Sequence, residues 1–388
     1  MENKTILILS SERWGKMMLS KHHYAVELVR GGNTVYFLNP PTDAKGFKST
    51  FSYTSDETTK GVIVVDHSLY FPYKLKFHFK SLYLGLMKRH TALLLKSIPL
   101  PIDIVWSFDL QGFYSLRHFP KRVFKIFFPA DEPIIPHTIN ASRGADVLIS
   151  ITKEIIRKFD KFKDSGFLVN HGLAKEFITV QTKEYQMGVP LRVGISGNFL
   201  RHDLDRETLL KIVRENPEII FECWGSYSLA HSNIGGSSAK ETEHFVDDLR
   251  SIGNVVMHGI VDTQSLVKGF NRMDAFLICY DIEKDHSKGT NYHKIMEYLS
   301  TGKVIVSNNV TAYKDRSGLL EMTEERDSNR MLPTLFKKVI SSLDLYNSEA
   351  ARTERMRFAA DNSYHSQIKK IESFLRNAVN RSKENIGH

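Results

Sequence analysis

The chain opens with a strand–helix–strand pattern in Thr5–Leu38, whose sequence is TILILSSERWGKMMLSKHHYAVELVRGGNTVYFL. Thr5–Ser10 is a short run rich in isoleucine and leucine, which is typical of a buried parallel strand. Ser20 can cap a helix that runs to Gly31, and Thr34–Leu38 is the next predicted strand. A strand, a loop, a helix and a second strand make the βαβ unit of a doubly wound α/β sheet.

The same alternation continues through the rest of the chain, with one interruption. Residues 180–190 are polar and end in Gly188 and Pro190, which indicates a linker between two domains. Strands are predicted before it at Gly61–Val65, Ile102–Phe108, Val123–Phe128, Val147–Ser150 and Gly166–Val169, and after it at Leu191–Ser196, Ile219–Trp224, Asn254–Met257, Asp274–Cys279 and Lys303–Ser307. Helices are predicted between the later strands at Asp205–Glu215, Glu241–Ile252, Thr263–Asn271 and Tyr292–Ser300, and three helical stretches close the chain. We therefore expect an α/β protein with one domain at 1–180, a second at 190–363, and a helix and tail at 364–388 that pack back on the first.

The composition favours a soluble globular protein. Of the 388 residues, 41% are hydrophobic and 25% charged. No apolar run is long enough to span a bilayer, and no signal-peptide pattern is visible near the N-terminus. The two cysteines lie in apolar runs, which excludes a disulfide framework and a cysteine-based zinc cluster. These features predict a reduced, cytoplasmic location.

The positive charge points to anionic partners. Lysine and arginine number 53 against 44 acidic residues, a net charge of +9. No acidic residue occurs between His67 and Ile102, and lysines alternate there with leucine and aromatic residues at Lys74–Lys80. An apolar face follows at Leu82, Leu86, Leu93 and Leu94. This pattern predicts that residues 69–95 bind an anionic membrane surface. The alternative is a core helix edged by lysines.

The loop after the first strand, Ser11–Lys16, is a first candidate site. Ligands of doubly wound sheets bind outside the carboxyl ends of the strands, and Gly15 would allow a phosphate to approach the backbone. A plain connecting loop is the alternative. His22 and His23 follow; adjacent residues face different sides of a helix, so they are not a metal pair. They either contact a sugar or diphosphate or lie in a solvated first turn.

The second half repeats this pattern at Ser196–Arg201. Gly197 and Asn198 follow a strand directly, and Arg201 can direct two hydrogen bonds to one phosphate. A surface arginine in a connecting loop is the alternative.

The most specific stretch begins at Ser287 and continues into a helix. Thr290 and Asn291 precede the helix, whose first turns carry Lys294 and Glu297. Amides at a helix start can hold a pyrophosphate, a lysine can neutralise it, and a carboxylate can accept both ribose hydroxyls. An ordinary helical ion pair between Lys294 and Glu297 is the alternative.

At this point the sequence resembles a known family. Lys294–Ser307, KIMEYLSTGKVIVS, closely resembles the K-x-x-E-Y-L-A-x-G-K-P-V-V segment of family 4 (group 1) glycosyltransferases. Further segments are similar to that family and occur in the expected order: Ala145–Thr152, Asn170–Phe177, Val193–Asn198, Cys223–Gly225, His258-Gly259 and Asp361–Tyr364. The resemblance covers almost the whole chain and is strongest from Ala145 onward.

The resemblance implies a GT-B fold, in which two Rossmann-like domains face each other across a cleft. The N-terminal domain would meet the acceptor, with Gly15 in its glycine loop, and the C-terminal domain would hold a nucleotide-sugar donor such as a UDP- or GDP-sugar. Glu297 matches the glutamate that binds the ribose, Arg201 a basic group on the diphosphate, and Lys294 a lysine that touches phosphate. The family's first glutamate of E-x7-E would fall on Gly289, so the sugar contact must come from another residue in Ser287–Asn291. His137 is a candidate for the catalytic histidine that some members carry; it follows Asp131-Glu132 in a loop after a strand.

The function implied is transfer of a sugar, with retention, to a glycan or lipid-linked acceptor in surface polysaccharide or glycolipid synthesis. GT-B enzymes generally need no bound metal, because arginine, lysine and helix amides stabilise the leaving diphosphate. The expected location is cytoplasmic, with a peripheral position on the inner face of the plasma membrane. The alternatives are a sugar-nucleotide epimerase or phosphorylase-like enzyme, and a non-catalytic nucleotide-sugar or lipid-binding protein. A nucleic-acid binder ranks last because no such motif is found.

Overall fold

A computed structural model describes the chain except for residues 44–45, 132, 134–135, 179–185, 229–238, 286–290 and 385–388, and except for the side chains of residues 136, 137, 140 and 377–384. The chain forms two compact units. The N-terminal unit comprises Met1–Asn170 and the chain from His365 onward, and the C-terminal unit is His171–Tyr364. The change of unit at Asn170 lies upstream of the predicted linker. The reason is local, because the amide of Leu173 donates to the carbonyl of Asn362 at 2.9 Å within the C-terminal unit.

The N-terminal unit is built on one twisted sheet of eight strands. They are β1 (Thr5–Leu9), β2 (Thr34–Leu38), β3 (Thr50–Thr54), β4 (Ile63–Ser68), β5 (Ile104–Ser107), β6 (Phe124–Phe127), β7 (Val147–Ser150) and β8 (Phe167–Leu168), in the spatial order β3-β4-β2-β1-β5-β6-β7-β8. All neighbours pair parallel except β3, which pairs antiparallel with β4 at the sheet edge. Strand β3 is not among the predicted strands, because its largely exposed residues lack the apolar run that identifies an inner strand.

Helices cover this sheet and enclose an aromatic core. They are α1 (Ser20–Arg30), α2 (Leu75–His78), α3 (Lys80–Ser97), α4 (Pro136–Ala141) and α5 (Lys153–Arg157). Tyr24 from α1 packs against Trp106, Phe108 and Phe128, with ring centroids 5.4–5.9 Å apart. Ser20 is the first residue of α1 rather than its cap. His22 takes over the capping role, because its Nδ1 accepts a hydrogen bond from the amide of Leu19 at 2.8 Å.

The C-terminal unit has a six-stranded, fully parallel sheet. Its strands are β9 (Arg192–Ser196), β10 (Ile220–Trp224), β11 (Val255–Gly259), β12 (Ala275–Ile278), β13 (Val304–Ser307) and β14 (Glu321–Met322), in the order β11-β10-β9-β12-β13-β14. The helices are α6 (Arg206–Arg214), α7 (Lys240–Ser251), α8 (Thr263–Phe270), α9 (Lys294–Leu299), α10 (Leu332–Ile340), α11 (Leu343–Tyr346) and α12 (Glu349–Asp361). The chain then continues into α13 (Tyr364–Glu384), which belongs to the N-terminal unit from His365 onward. The chain leaves β9 in one direction toward β10 and returns on its other side as β12. Such a reversal of strand order is where doubly wound sheets bind ligands.

The predicted fold class is confirmed: the protein is α/β, with two mainly parallel sheets. None of the helices in the described part of the chain has the length and apolar character that crossing a membrane requires.

Candidate functional site

Three glycines bring the loops after β9, β10 and β11 into backbone contact. The amide of Gly197 donates to the carbonyl of Trp224 at 2.9 Å, and the amide of Gly225 donates to the carbonyl of Gly259 at 2.8 Å. Gly225 has a φ of +126°, and a Cβ there would lie 1.8 Å from the carbonyl oxygen of Gly197. Position 225 therefore admits only glycine, and the strand ends present bare backbone at the reversal of strand order.

Lys294 directs its ammonium group to this edge. The side chain extends from the first turn of α9, and Nζ donates hydrogen bonds to the carbonyl of Ser196 and to the hydroxyl of Tyr280, the latter at 2.6 Å. A Cβ at position 197 would lie 2.6 Å from Nζ, so Gly197 also makes room for the lysine. The sequence placed Lys294 and the loop at Ser196–Arg201 in separate candidate sites, and the structure brings the two together. The ion pair with Glu297, the alternative reading, is not what holds the ammonium group.

A narrow recess lies beside this ammonium group. Its walls come from the ends of β9 and β12 and the residues that follow them: Ile195, Ser196, Gly197, Asn198, Phe199, Leu204, Leu277, Ile278, Cys279, Tyr280 and Lys294. Its free space is about 10 Å³, room for one water molecule at most. Lys294 and Tyr280 form part of the wall of this recess at the end of β9.

Glu297 lies one turn along α9 in a buried position next to histidines. Burial raises the pKa of Glu297 to about 8, although the charge of Lys294 opposes this. Oε1 is 3.5 Å from Nδ1 of His293, whose Nε2 is 2.8 Å from the hydroxyl of Tyr364. Burial, with the charges of His171 and Lys294, lowers the pKa of His293 to about 3. At neutral pH the carboxyl group is thus mostly protonated and the imidazole neutral.

Arg201 is held by two buried carboxylates. Its Nε lies 2.8 Å from Oδ1 of Asp203, its Nη2 also contacts Asp203, and Nη2 is 3.9 Å from Oδ1 of Asp285. Burial acts to lower the pKa of Arg201, but the hydrogen bonds and charge of Asp203, with Tyr280 and Asp285, raise it above its ordinary value. The guanidinium side chain is still 48% exposed, so the arginine is fixed along one edge and accessible along the other.

Of the other residues predicted at this edge, two are buried asparagines and the rest lie outside the described residues. Asn198 is buried and shapes its own loop, since Oδ1 accepts from the amide of Leu200 at 3.0 Å. Asn291 is buried in front of α9, where its backbone bonds the ring of His171. Thr290 lies outside the described residues, as do Ser287 and Gly289.

Sequence reasoning missed Tyr280 and Asp203. Tyr280 follows β12 and stands between the two cations, with its ring centroid 4.8 Å from Nζ of Lys294 and 5.9 Å from Cζ of Arg201. Its position directly after a buried strand was the available signal, but a lone tyrosine there has no motif to identify it. Asp203 could have been found as the nearest carboxylate to a predicted phosphate-binding arginine.

The corresponding edge of the N-terminal unit is closed by side chains. In the loop that contains Gly15, Trp14 packs edge-on against His22 and Phe37, with centroids 5.3 and 5.1 Å away. Both predicted histidines are buried, which contradicts the solvated-turn alternative. His22 Nε2 lies 3.2 Å from the carbonyl of Arg13, so the ring ties the loop to the helix start.

Paired charges complete this second edge. Arg13 bonds Asp66, and Lys21 bonds Glu12. Burial lowers the pKa of Lys21 to about 8, while Asp131 and Asp109 act against that shift. His137 belongs to α4, but its side chain lies outside the described part of the chain, as does Glu132. No group of three or more histidine, cysteine, aspartate or glutamate residues suited to a metal ion occurs among the residues that the structure describes.

No family model and no curated protein sequence matches the chain. Solved structures match it in fold. Sucrose-phosphate synthase from Thermosynechococcus elongatus is 12% identical, with a TM-score of 0.66 over 98% of this chain and 100% of that chain. The trehalose-6-phosphate protein from E. coli bound with UDP-2-fluoro glucose is also 12% identical, with a TM-score of 0.65 over 96% and 99%. HepE of Anabaena in complex with UDP and glucose is 12% identical, with a TM-score of 0.63 over 97% and 100%. The chain therefore has the fold of the GT-B glycosyltransferases, as the sequence resemblance implied.

Proposed function

We propose that the protein is a glycosyltransferase that moves a sugar from a nucleotide-sugar donor and binds the nucleotide at the carboxyl edge of the C-terminal sheet. The observation that carries this proposal is the ammonium group of Lys294, held by neutral oxygen atoms at the three joined glycine loops. A cation beside exposed backbone at a reversal of strand order suits a diphosphate. UDP and UDP-sugars occupy structural neighbours of this fold. The C-terminal unit is accordingly assigned the donor and the N-terminal unit the acceptor.

The two cations can stabilise the leaving group of the proposed reaction. When the bond between the sugar and the diphosphate breaks, the diphosphate gains negative charge. Lys294 and the accessible edge of Arg201 can stabilise that charge, and because both are already fixed they need little reorganisation in the transition state. The resemblance to family 4 supports retention at the anomeric carbon, which proton NMR of the first product formed can test.

Glu297 is assigned to the ribose of the nucleotide. Two ribose hydroxyls can donate to one carboxylate, and such bonds favour its ionised form. Because burial raises the pKa of Glu297 to about 8, donor binding that favours the ionised carboxylate should release protons at pH 7.

Thermal shift with UDP-, GDP- and dTDP-glucose tests the donor assignment. A ligand that binds only the native state must raise its melting temperature, whereas no shift with any of the three would contradict the proposal. Lys294→Met should reduce the shift. Lys303→Met is the matched control, since Lys303 is a buried lysine of the same unit with a pKa lowered by burial to about 8, located at the start of β13 rather than at its carboxyl end.

For the acceptor we propose a lipid-linked sugar or glycan at an anionic membrane surface, in surface polysaccharide or glycolipid synthesis on the cytoplasmic face. The N-terminal unit exposes large apolar side chains within residues 69–95: Phe77 is 68% exposed, Phe79 62% and Leu82 54%. Lys74 and Lys80 are exposed on either side of Phe77 and Phe79. Exposed aromatic residues flanked by lysines suit shallow insertion among anionic lipids.

The exposed side of α3 extends this surface. Leu82, Leu86, Arg89, Leu93 and Lys96 recur every three or four residues, so they form one stripe along the helix. The opposite stripe, which includes Met87, His90 and Leu94, is buried in the core. Helix α3 is therefore a core helix with basic residues on its exposed side, and binding of that side to a membrane is the proposal.

Lys76 does not belong to this surface. Its Nζ lies 4.4 Å from the ring centroid of Phe113 and donates to the hydroxyl of Tyr73 at 3.3 Å. Burial lowers the pKa of Lys76, although Asp109 opposes the shift. A charge reversal at Lys76 would disturb the fold, so only Lys74 and Lys80 can test membrane binding cleanly.

Sedimentation with vesicles of phosphatidylglycerol and phosphatidylcholine tests the surface. The double variant Lys74→Glu, Lys80→Glu should lose at least about 2 kcal/mol of binding at low salt, some 30-fold. Lys121→Glu, Lys163→Glu changes net charge equally at exposed lysines elsewhere in the same unit and should still sediment. Wild-type protein that stays in the supernatant at low salt would contradict the surface and favour a soluble acceptor.

A further inference from the structure

Tyr280 contacts both of the cations that are proposed to bind phosphate, Lys294 and Arg201. Its hydroxyl accepts the hydrogen bond from Lys294 at 2.6 Å, and its ring lies 4.8 Å from the same ammonium nitrogen. The guanidinium carbon of Arg201 is 5.9 Å from the ring centroid. One side chain thus contacts two cations that the sequence separates by 93 positions.

The fold holds Tyr280 from several directions. Its amide donates to Oδ1 of Asn308 at 2.9 Å, and its carbonyl accepts from Nδ2 of Asn329 at 2.8 Å. The ring of Tyr292 packs against it with a centroid distance of 4.7 Å. Because the side chain is buried and its backbone is anchored on both sides, the hydroxyl group occupies a fixed point at the end of β12.

A lysine needs such a fixed point more than an arginine does. Its ammonium group ends a flexible four-carbon stem, and in solution it samples many rotamers. Contact with the Tyr280 hydroxyl, with the ring face and with the Ser196 carbonyl restricts Nζ to one place. A charge fixed before the reaction stabilises a developing negative charge without reorganisation.

We propose that Tyr280 is a positioning residue that aligns Lys294 with the diphosphate as the sugar leaves. The inference rests on the proposed function, since it concerns the same nucleotide site. It predicts an effect that grows with the negative charge on the diphosphate. A free nucleoside diphosphate is more negative than the same diphosphate esterified to a sugar, so it reports on the leaving group without requiring turnover.

Calorimetric titration with UDP and with UDP-glucose tests the proposal, with GDP, dTDP and their glucose esters run in parallel. Tyr280→Phe should weaken binding of the diphosphate about tenfold and binding of the sugar ester about twofold or less. The phenylalanine retains the ring that packs on Tyr292, so the fold is kept. In the Lys294→Met background the same change should have no further effect, because the group that Tyr280 positions is gone.

Tyr292→Phe is the matched control. It removes the hydroxyl of the neighbouring ring, which donates to Asp285 at 2.8 Å, whereas the hydroxyl of Tyr280 accepts from Lys294. Its effect should add to that of Lys294→Met.

Three outcomes are distinguishable. Additive effects of Tyr280→Phe and Lys294→Met, or equal losses for diphosphate and sugar ester, would overturn the positioning role. A wild-type protein that binds none of the three diphosphates would overturn both this inference and the proposed function. Coupled binding without sugar transfer to any acceptor would support the positioning role and refute only the transferase.

Discussion

The carboxyl edges of the two sheets occupy equivalent places in the fold yet are built differently. In the N-terminal unit two cations after β1 bond carboxylates, Arg13 with Asp66 and Lys21 with Glu12, and Trp14 packs over the loop. In the C-terminal unit three glycines expose the backbone, and Lys294 bonds the neutral oxygen atoms of Ser196 and Tyr280. The fold supplies a place for a ligand at both edges, whereas the side chains decide which edge suits a diphosphate.

The largest expected effect is a difference in lost stability between a glycine-to-alanine change at the C-terminal edge and one at the N-terminal edge. Gly225→Ala should destabilise the C-terminal unit by at least about 3 kcal/mol, because its Cβ would overlap the carbonyl of Gly197 and its φ is positive. Gly112→Ala, at the corresponding edge of the N-terminal unit after β5, also has a positive φ but meets no atom within 4 Å. It should cost about 1–2 kcal/mol. Urea unfolding followed by circular dichroism measures both, and equal losses would show that loop contact at Gly225 is unimportant.

This glycine contact also shows how far sequence reasoning extends. The inner strands were predictable because their apolar runs are continuous, and the glycines of β9, β10 and β11 were found as separate landmarks. That their backbones touch was not predictable, because the contact joins positions far apart in the chain. The Lys294 contact with Ser196 spans 98 positions. The direction of a side chain depends on such distant partners, which explains why Tyr280 was missed and why Lys76 was assigned to the surface.

Replacing Arg201 at the C-terminal edge should affect the turnover of the enzyme much more than replacing Arg13 at the N-terminal edge. Arg201→Ala should lower kcat about 100-fold or more and change the donor KM little, because charge develops on the diphosphate only as the bond breaks. Arg13→Ala removes an exposed pair with Asp66 and should change either constant by less than about twofold. Steady-state kinetics measure both. Arg201→Ala leaves the buried carboxylate of Asp203 without this partner, which could disturb folding. Arg201→Lys is therefore measured beside it, because lysine keeps the positive charge but cannot form two parallel hydrogen bonds. A rise in KM at constant kcat would contradict the assigned role of Arg201.

Glu297→Gln should have a smaller effect that depends on pH. The folded protein raises the pKa of this carboxyl to about 8 from about 4.3 in an unfolded chain, so its contribution to stability is present below pH 4 and is lost as the pH rises to 8. The glutamine variant should therefore be more stable than wild type at pH 8. Nucleotide binding to wild type should strengthen as the pH rises from 6.5 to 8, while binding to the variant should stay flat and be about tenfold weaker at pH 8. Calorimetry at the two pH values measures this, and parallel pH profiles would remove Glu297 from the ribose site.

The smallest expected effect is that of a chelator. Lys294 and Arg201 place two positive charges at the nucleotide edge, and these can offset the charge of the leaving diphosphate without a divalent ion. Activity measured in excess EDTA should therefore stay within about twofold of its value with Mg²⁺, a tolerance that corresponds to less than 0.5 kcal/mol in the barrier. The Lys294→Met variant gives the more decisive experiment, because Mg²⁺ can replace the positive charge that this variant lacks. If Mg²⁺ rescues the lysine variant but leaves wild type unchanged, the lysine performs the electrostatic work of a metal. An enzyme that is inactive in EDTA with Lys294 intact, and is restored by Mg²⁺, would show that the fixed cations are insufficient and that the difference between the two edges lies in more than their side-chain charges.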